Sequence, residues 1–141
     1  GVEDVFVRDL RTGLTWRASE GPLGEQGASE SFQPAFSADG RYLAFIGSSS
    51  FGSVVPGASF LRVVDLQTGA IEAVVIQVNG QVQFGGWRPR LSADGRYAML
   101  QIFPGVVVHD RSTGQSVQAD LNAQGEPANI PGIYPALSGD G

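Results

Sequence analysis

Apolar residues in this chain come in short runs separated by Gly, Asp, Ser and Thr. Val5–Leu10 and Leu14–Ala18 flank Arg11-Thr12-Gly13, and read as two strands around a turn. Gln33–Ser37 and Arg41–Gly47 flank Ala38-Asp39-Gly40 in the same way. Phe60–Leu66 and Ile71–Val78 flank Gln67-Thr68-Gly69. The order then repeats: Trp87–Leu91 and Tyr97–Phe103 around Ala93-Asp94-Gly95, and Val106–Asp110 and Ser116–Leu121 around Ser112-Thr113-Gly114. A last strand, Ile133–Ser138, leads into Asp140-Gly141. Nowhere do apolar residues recur at helical spacing, so no helix is predicted. The segments Glu20–Glu30, Ser48–Ser59, Asn79–Gly86 and Asn122–Gly132 are predicted loops, rich in Gly, Ser, Pro and polar residues.

Two turn families alternate along this pattern. Asp-Gly pairs stand 55 and 46 residues apart, and Thr-Gly pairs 56 and 45 apart. The families keep step, so the repeating unit is four strands joined as a meander. Four-stranded units of about 40–50 residues are the signature of β-propeller blades. The predicted fold is therefore all-β, with strands of each blade labelled A to D. Strands C–D occupy 5–18, one full blade 32–78, a second 87–121, and a lone strand A 133–138, all in one propeller segment spanning 1–141. Two or three blades do not close a ring, which takes roughly four to eight. The expectation is either a section of a longer propeller or self-association, with a homodimer closing a ring of about six blades.

Pro34-Ala35-Phe36-Ser37-Ala38-Asp39-Gly40-Arg41-Tyr42-Leu43-Ala44-Phe45 and Asp65-Leu66-Gln67-Thr68-Gly69 resemble the TolB/PD40 type of WD40-like propeller repeat. The second copy departs modestly, with Met99-Leu100 for Ala-Phe and Asp110-Arg111-Ser112-Thr113-Gly114 at the turn. Asp9-Leu10-Arg11-Thr12-Gly13 matches the turn alone. The resemblance implies a propeller of bacterial, extracytoplasmic kind, periplasmic or secreted, without excluding the cytoplasm. Such blades occur in periplasmic TolB, in tricorn-like proteases and as the gating propeller of prolyl-oligopeptidase-like hydrolases.

Composition narrows the chemistry. The formal net charge is −5 and all nine basic residues are Arg, with no basic run, so a nucleic-acid partner is not expected. Cysteine is absent, which removes disulfides, thiol catalysis and Cys-ligated metals. No apolar stretch approaches the ~20 residues of a membrane-spanning helix, so membrane insertion is not expected. The residues 1–4, Gly-Val-Glu-Asp, carry no signal-peptide pattern.

Few side chains suggest a reaction. Asp39, Asp94 and Asp140 are read as turn residues beside Gly40, Gly95 and Gly141, because Asp-Gly is what a tight turn requires. One acid per repeat does not make a calcium site. Asp9, Asp65 and Asp110 receive the same reading, as do Gly13, Gly69 and Gly114 at positions suited to positive φ. His109 is the only histidine; it aligns with Val64 and is read as a strand residue. No Gly-x-Ser-x-Gly elbow is present. Arg41 and Arg96 are expected to pair with neighbouring turn aspartates, and Trp87 to pack between blades in the slot of Phe32 and Ile133. No catalytic residue, cofactor or metal is assigned.

Alternating strand direction puts the A–B and C–D turns on one face and the B–C and D–A connections on the other. The second set is longer and more variable, and binding sites concentrate on such connections. The expected function is a non-catalytic scaffold that binds a protein or peptide there, with Phe51, Val54 and Val55 as exposed apolar candidates. The alternative is a gating propeller of a tricorn-like or prolyl-oligopeptidase-like hydrolase. Sugar or small-ligand binding in a central channel has no direct support.

Overall fold

A strand whose successive residues are all apolar needs cover on both faces. Leu43-Ala44-Phe45-Ile46 and Ala98-Met99-Leu100 are such strands, and all seven residues are buried. The computed structural model describes residues 2–21, 24–26, 30–48, 59–103, 105–127 and 135–141. Among them are twelve strands and no helix. β1 (Phe6–Arg8) and β2 (Thr15–Arg17) form a two-stranded sheet. β3 (Ser31–Phe36), β4 (Tyr42–Ser48), β5 (Ser59–Asp65) and β6 (Ile71–Val74) form an antiparallel four-stranded meander, blade 1. β7 (Ile76–Val78) and β8 (Gln81–Gln83) make a separate hairpin. β9 (Trp87–Leu91), β10 (Tyr97–Ile102), β11 (Gly105–Asp110) and β12 (Gln115–Gln118) repeat the meander as blade 2. The protein is thus an all-β stack of partial propeller blades.

Each sheet packs face to face on the next. Leu43, Phe45 and Val64 on one face of blade 1 meet Val5, Val7 and Ala18 of the N-terminal pair. Ala44, Ile46, Leu61 and Val63 on its other face meet Leu91, Ala98, Leu100 and Val107 of blade 2. The period of two along β4 thus divides its residues between two cores. Burying each large side chain contributes about 1.5–3 kcal/mol, which makes these inter-blade layers the main source of stability.

Four features depart from the sequence expectation. The strand expected over Ile71–Val78 breaks at exposed Val75 into β6 and β7. β7 leaves the blade and pairs with β8, inside a stretch read as loop. The cause is Asn79-Gly80, whose φ values of +51° and +74° form the hairpin turn that matches strand twist. The strand expected over Ser116–Leu121 ends at Gln118, and Leu121 instead bridges Pro127. Of the expected strand 133–138, Pro135–Ser138 lies in no ladder, because no partner strand to it stands among the described residues; 133 and 134 lie outside them.

Strand A is bulged at the same point in both blades. Pairing slips between Phe32 and Ala35, and between Met99 and Gln101 opposite β9. Gln33 and Arg88, each just before a proline, hold φ of +56° and +54°. The Gln33 Oε1 accepts the Arg88 backbone N–H at 2.7 Å, so one bulge is tied to the next.

Candidate functional site

The A–B turns are closed hydrogen-bonded units. Ser37 Oγ donates to Asp39 Oδ1 at 2.6 Å, Asp39 Oδ1 accepts Arg41 N–H at 2.9 Å, and Ser37 Oγ accepts Tyr42 N–H at 2.9 Å. Ser92, Asp94, Arg96 and Tyr97 repeat this at 2.7, 2.9 and 2.9 Å. The Ser37 hydroxyl holds the Asp39 carboxyl below its ordinary pKa, helped by the Arg41 amide. The Arg96 amide, then the Ser92 hydroxyl, does the same for Asp94, and the Ser138 hydroxyl for Asp140. Gly40, Gly95 and Gly141 all have positive φ, at +72°, +72° and +104°.

The C–D turns use a second device. Asp9 Oδ1 accepts the N–H groups of Arg11 and Thr12, and Asp65 Oδ1 those of Gln67 and Thr68. Asp110 Oδ1 accepts from Ser112 N–H and its hydroxyl. Gly13, Gly69 and Gly114 follow at φ of +74°, +75° and +73°. Arg41 reaches Asp65 at 2.7 Å and Arg96 reaches Asp110 at 2.7 Å, each spanning from the start of strand B to the end of strand C. The Arg41 guanidinium, with turn amides, brings Asp65 to a pKa of about 2. Arg96 and then Ser112 hold Asp110 still further below the ordinary range. Every one of these carboxylates is engaged by its own turn, and no cluster of three or more metal-ligating side chains occurs among the described residues.

His109 lies on β11, 4% exposed. Its Nδ1 stands 2.9 Å from Ser116 Oγ, which also accepts Gln77 N–H at 3.3 Å. Burial lowers the imidazole pKa. Spacing gave no hint of this Ser–His contact. It joins two neighbouring strands of blade 2, β11 and β12, and Ser116 also ties them to the β7–β8 hairpin. No carboxylate hydrogen-bonds the ring among the described residues, so the third member of an acyl-transfer triad is not assembled there.

Arg111 makes a further inter-blade bridge, beside the Gln33–Arg88 bond. Its guanidinium donates to Glu72 Oε2 at 2.7 Å and to the Gly95 carbonyl at 2.6 Å, and lies 4.6 Å from the Tyr42 ring centroid. Trp87 is 49% exposed, whereas Phe32 in the matching slot packs on the inter-blade core. Phe51, Val54 and Val55 lie outside the described residues.

A groove opens where the D–A connections of the two blades meet. Val78 and Asn79 of the β7–β8 hairpin form one wall; Ser116, Val117, Gln118, Leu121, Gly125 and Pro127 form the other, around about 310 Å³. A second hollow of about 290 Å³ shares Val78, Asn79, Gln118 and Pro127, and adds Gln81, Gln83 and Ile102. Among the described residues the lining of the two hollows holds four carboxamides and no charged side chain, and the Asp120 carboxylate accepts from Gln118 Nε2 at 3.1 Å. Reading 79–86 as plain loop hid this wall. The available signal was Asn79-Gly80 between Ile76/Val78 and Val82, an alternating hairpin pattern.

No family model and no curated protein matches the chain. Solved structures do. Against TolB from Acinetobacter baumannii the identity is 19% and the TM-score 0.55, over 89% of this chain and 33% of that one. Against a putative TolB from Agrobacterium tumefaciens the values are 20% and 0.57, over 84% of this chain and 42% of that one. The chain therefore has the TolB-type β-propeller fold, and spans between a third and less than half of the length of these structures.

Proposed function

We propose that this chain is a non-catalytic section of a bacterial, extracytoplasmic β-propeller scaffold that binds a protein or peptide through its D–A connections. The groove between the β7–β8 hairpin and residues 116–127 carries the reading, because it is a hollow built from β12 and the connecting segments that follow the two blades. The opposite face has a hollow of about 350 Å³ lined by Tyr42, Asp94, Arg96, Arg111 and Ser112, but its carboxylates and guanidiniums pair with each other and with turn amides. The location rests on the TolB-type fold and repeat. A photo-crosslinking amino acid placed at Gln83 or Val117 in cells is expected to give protein adducts, and one at Gln67 or Thr68 none. Adducts only from the latter pair would move the binding face to the other side. A hydrolytic role for His109 would show as ester or peptide turnover lost in His109→Ala, and none is expected.

The ends of the stack support a second partner, another blade. Phe6, Leu10 and Leu14 are 61%, 89% and 66% exposed on the N-terminal pair. Gly40 has nothing within 4 Å of its missing Cβ, while Gly95 and Gly141 are covered by Tyr42 and Tyr97. That blade comes from a second copy or from the remainder of a longer propeller. Light scattering distinguishes them: a mass near twice 14.8 kDa means a ring closed by two copies.

A further inference from the structure

The A–B turn of blade 2 is covered by the sheet before it, and the identical turn of blade 1 is not. Leu91 is 9% exposed and Gly95 lies under the Tyr42 ring of blade 1. Phe36 and Gly40 hold the same two positions in blade 1. Phe36 is 53% exposed, and Gly40 has nothing within 4 Å of an added Cβ. The Ala93 carbonyl accepts Asp39 N–H at 3.1 Å, whereas the equivalent Ala38 carbonyl accepts no backbone N–H among the described residues.

The N-terminal pair beside this patch is open in the matching way. β5 and β11 are the C strands of their blades, and each pairs on both edges. β1 is the C strand of the N-terminal pair, followed by Asp9 as β5 ends at Asp65, and among the described residues it pairs with β2 alone. Asp65 and Asp110 each take their turn amides and a strand-B arginine. Asp9 takes its turn amides on Oδ1, and no guanidinium pairs with it among the described residues. In blade 1 one short run meets all three kinds of group. Arg41 binds Asp65, Tyr42 stands opposite Asp65 in register and covers Gly95, and β4 fills the edge of β5. A second copy of the chain has no such run to offer. Its Arg41 and Arg96 hold its own Asp65 and Asp110, and its Tyr42 and Tyr97 cover its own Gly95 and Gly141.

We propose that Asp9, the free edge of β1, Phe36 and Gly40 form one docking face for the A–B hairpin of a further blade from outside residues 1–141. Its B strand opens with Arg and an aromatic residue and continues apolar. The arginine meets Asp9, the ring covers Gly40, and the strand backbone pairs with β1. Burial of the ring and of Phe36 drives the contact, while the exposed Arg–Asp9 pair adds little energy and fixes the register. The inference rests on the blade partner proposed above, and names the chemistry by which that partner is recognised.

The test places a copy of residues 31–58 ahead of Glu3 of the chain, in place of Gly1 and Val2. The thermal midpoint is expected to rise by about 5 °C or more. The Asp9 carboxyl, already held below its ordinary pKa by Thr12 and the Arg11 amide, should fall further in an NMR titration. Arg41→Ala within the added copy should reverse the Asp9 shift, and Tyr42→Ala there most of the midpoint gain. A gain that both changes leave intact would keep the blade partner and overturn the Arg-aromatic recognition. A folded graft with no gain and an unmoved Asp9 would overturn both. Where the graft does not fold, the same segment on a soluble carrier is added to the unmodified chain. It should bind about tenfold or more weakly to Phe36→Arg, a change at an exposed position, and equal binding would overturn the face. A dimer of the unmodified chain that Phe36→Arg disperses in light scattering would make a second copy the occupant, leaving the blade partner and overturning the outside hairpin.

Discussion

Ser37–Tyr42 and Ser92–Tyr97 are the same six residues in two blades, and their internal hydrogen bonds coincide: hydroxyl to carboxylate at 2.6 and 2.7 Å, and both amide bonds at 2.9 Å. Gly40 and Gly95 share a φ of +72°. Their surroundings differ. Gly95 lies directly under the Tyr42 ring, whereas Gly40 faces open space. Gly141 repeats the covered case, under Tyr97. One sequence thus makes one turn, while the neighbouring blade decides whether the turn is also a joint. The backbone follows the same rule: Asp39 N–H donates to the Ala93 carbonyl at 3.1 Å, and Ala93 N–H to the Gly139 carbonyl at 2.8 Å. A tyrosine of one blade and a glycine of the next form the contact, and each full blade carries both halves.

The comparison breaks first at Gly95. Gly95→Ala places a methyl group into the Tyr42 ring at a φ that already disfavours a side chain, and is expected to cost about 2–4 kcal/mol in denaturant unfolding. A second change, Tyr42→Ala, should make the methyl group far less costly; strictly additive losses would mean that the ring is not the obstacle. Arg111→Ala removes the bonds to Glu72 and Gly95 and one of two guanidiniums over Tyr42, the other being Arg41, and should cost about 1–2 kcal/mol. Gly40→Ala meets only the backbone penalty, about 1 kcal/mol. Equal losses at Gly40 and Gly95 would show that turn geometry, and not the inter-blade stack, sets the requirement for glycine.

Smaller effects come from titration. His109 is buried with its pKa below the ordinary 6.5, so the unfolded chain binds a proton there before the folded chain does. Its contribution is intact above 6.5 and falls as pH drops from 6.5 toward the folded value. The decline in unfolding free energy between neutral and mildly acid pH should flatten in His109→Phe. Asp65 is lowered from 3.8 to about 2. Its contribution persists above about 4 and is lost as pH falls through about 2. Arg41→Gln removes the main cause of that shift and should raise the Asp65 pKa, read by carboxyl NMR titration.

The candidate surfaces were legible to different degrees, for reasons that can be named. The strong turns could be read because Asp-Gly and Thr-Gly encode their own conformation. The Ser37 and Ser92 hydroxyls could have been read too, since Ser stands two before Asp in each copy. Arg41–Asp65 and Arg96–Asp110 were foreseeable in kind, since repeated meanders bring strand B beside the end of strand C. The Ser116–His109 contact was not, because its meaning depends on Gln77 arriving from the β7–β8 hairpin. The β7–β8 hairpin left a signal in Asn79-Gly80 that a periodic reading of strand D passed over.

The sequence by itself determined the unit: its four strands, its two kinds of turn, and the TolB-type propeller they build. These follow from local conformational preference and a period of two, which act over a few residues. Only the tertiary structure decided which glycine lies under a ring, which arginine joins two blades, and where two connecting segments leave a groove. Those properties arise from residues about 40–55 positions apart brought into contact by stacking, and no local pattern carries that information.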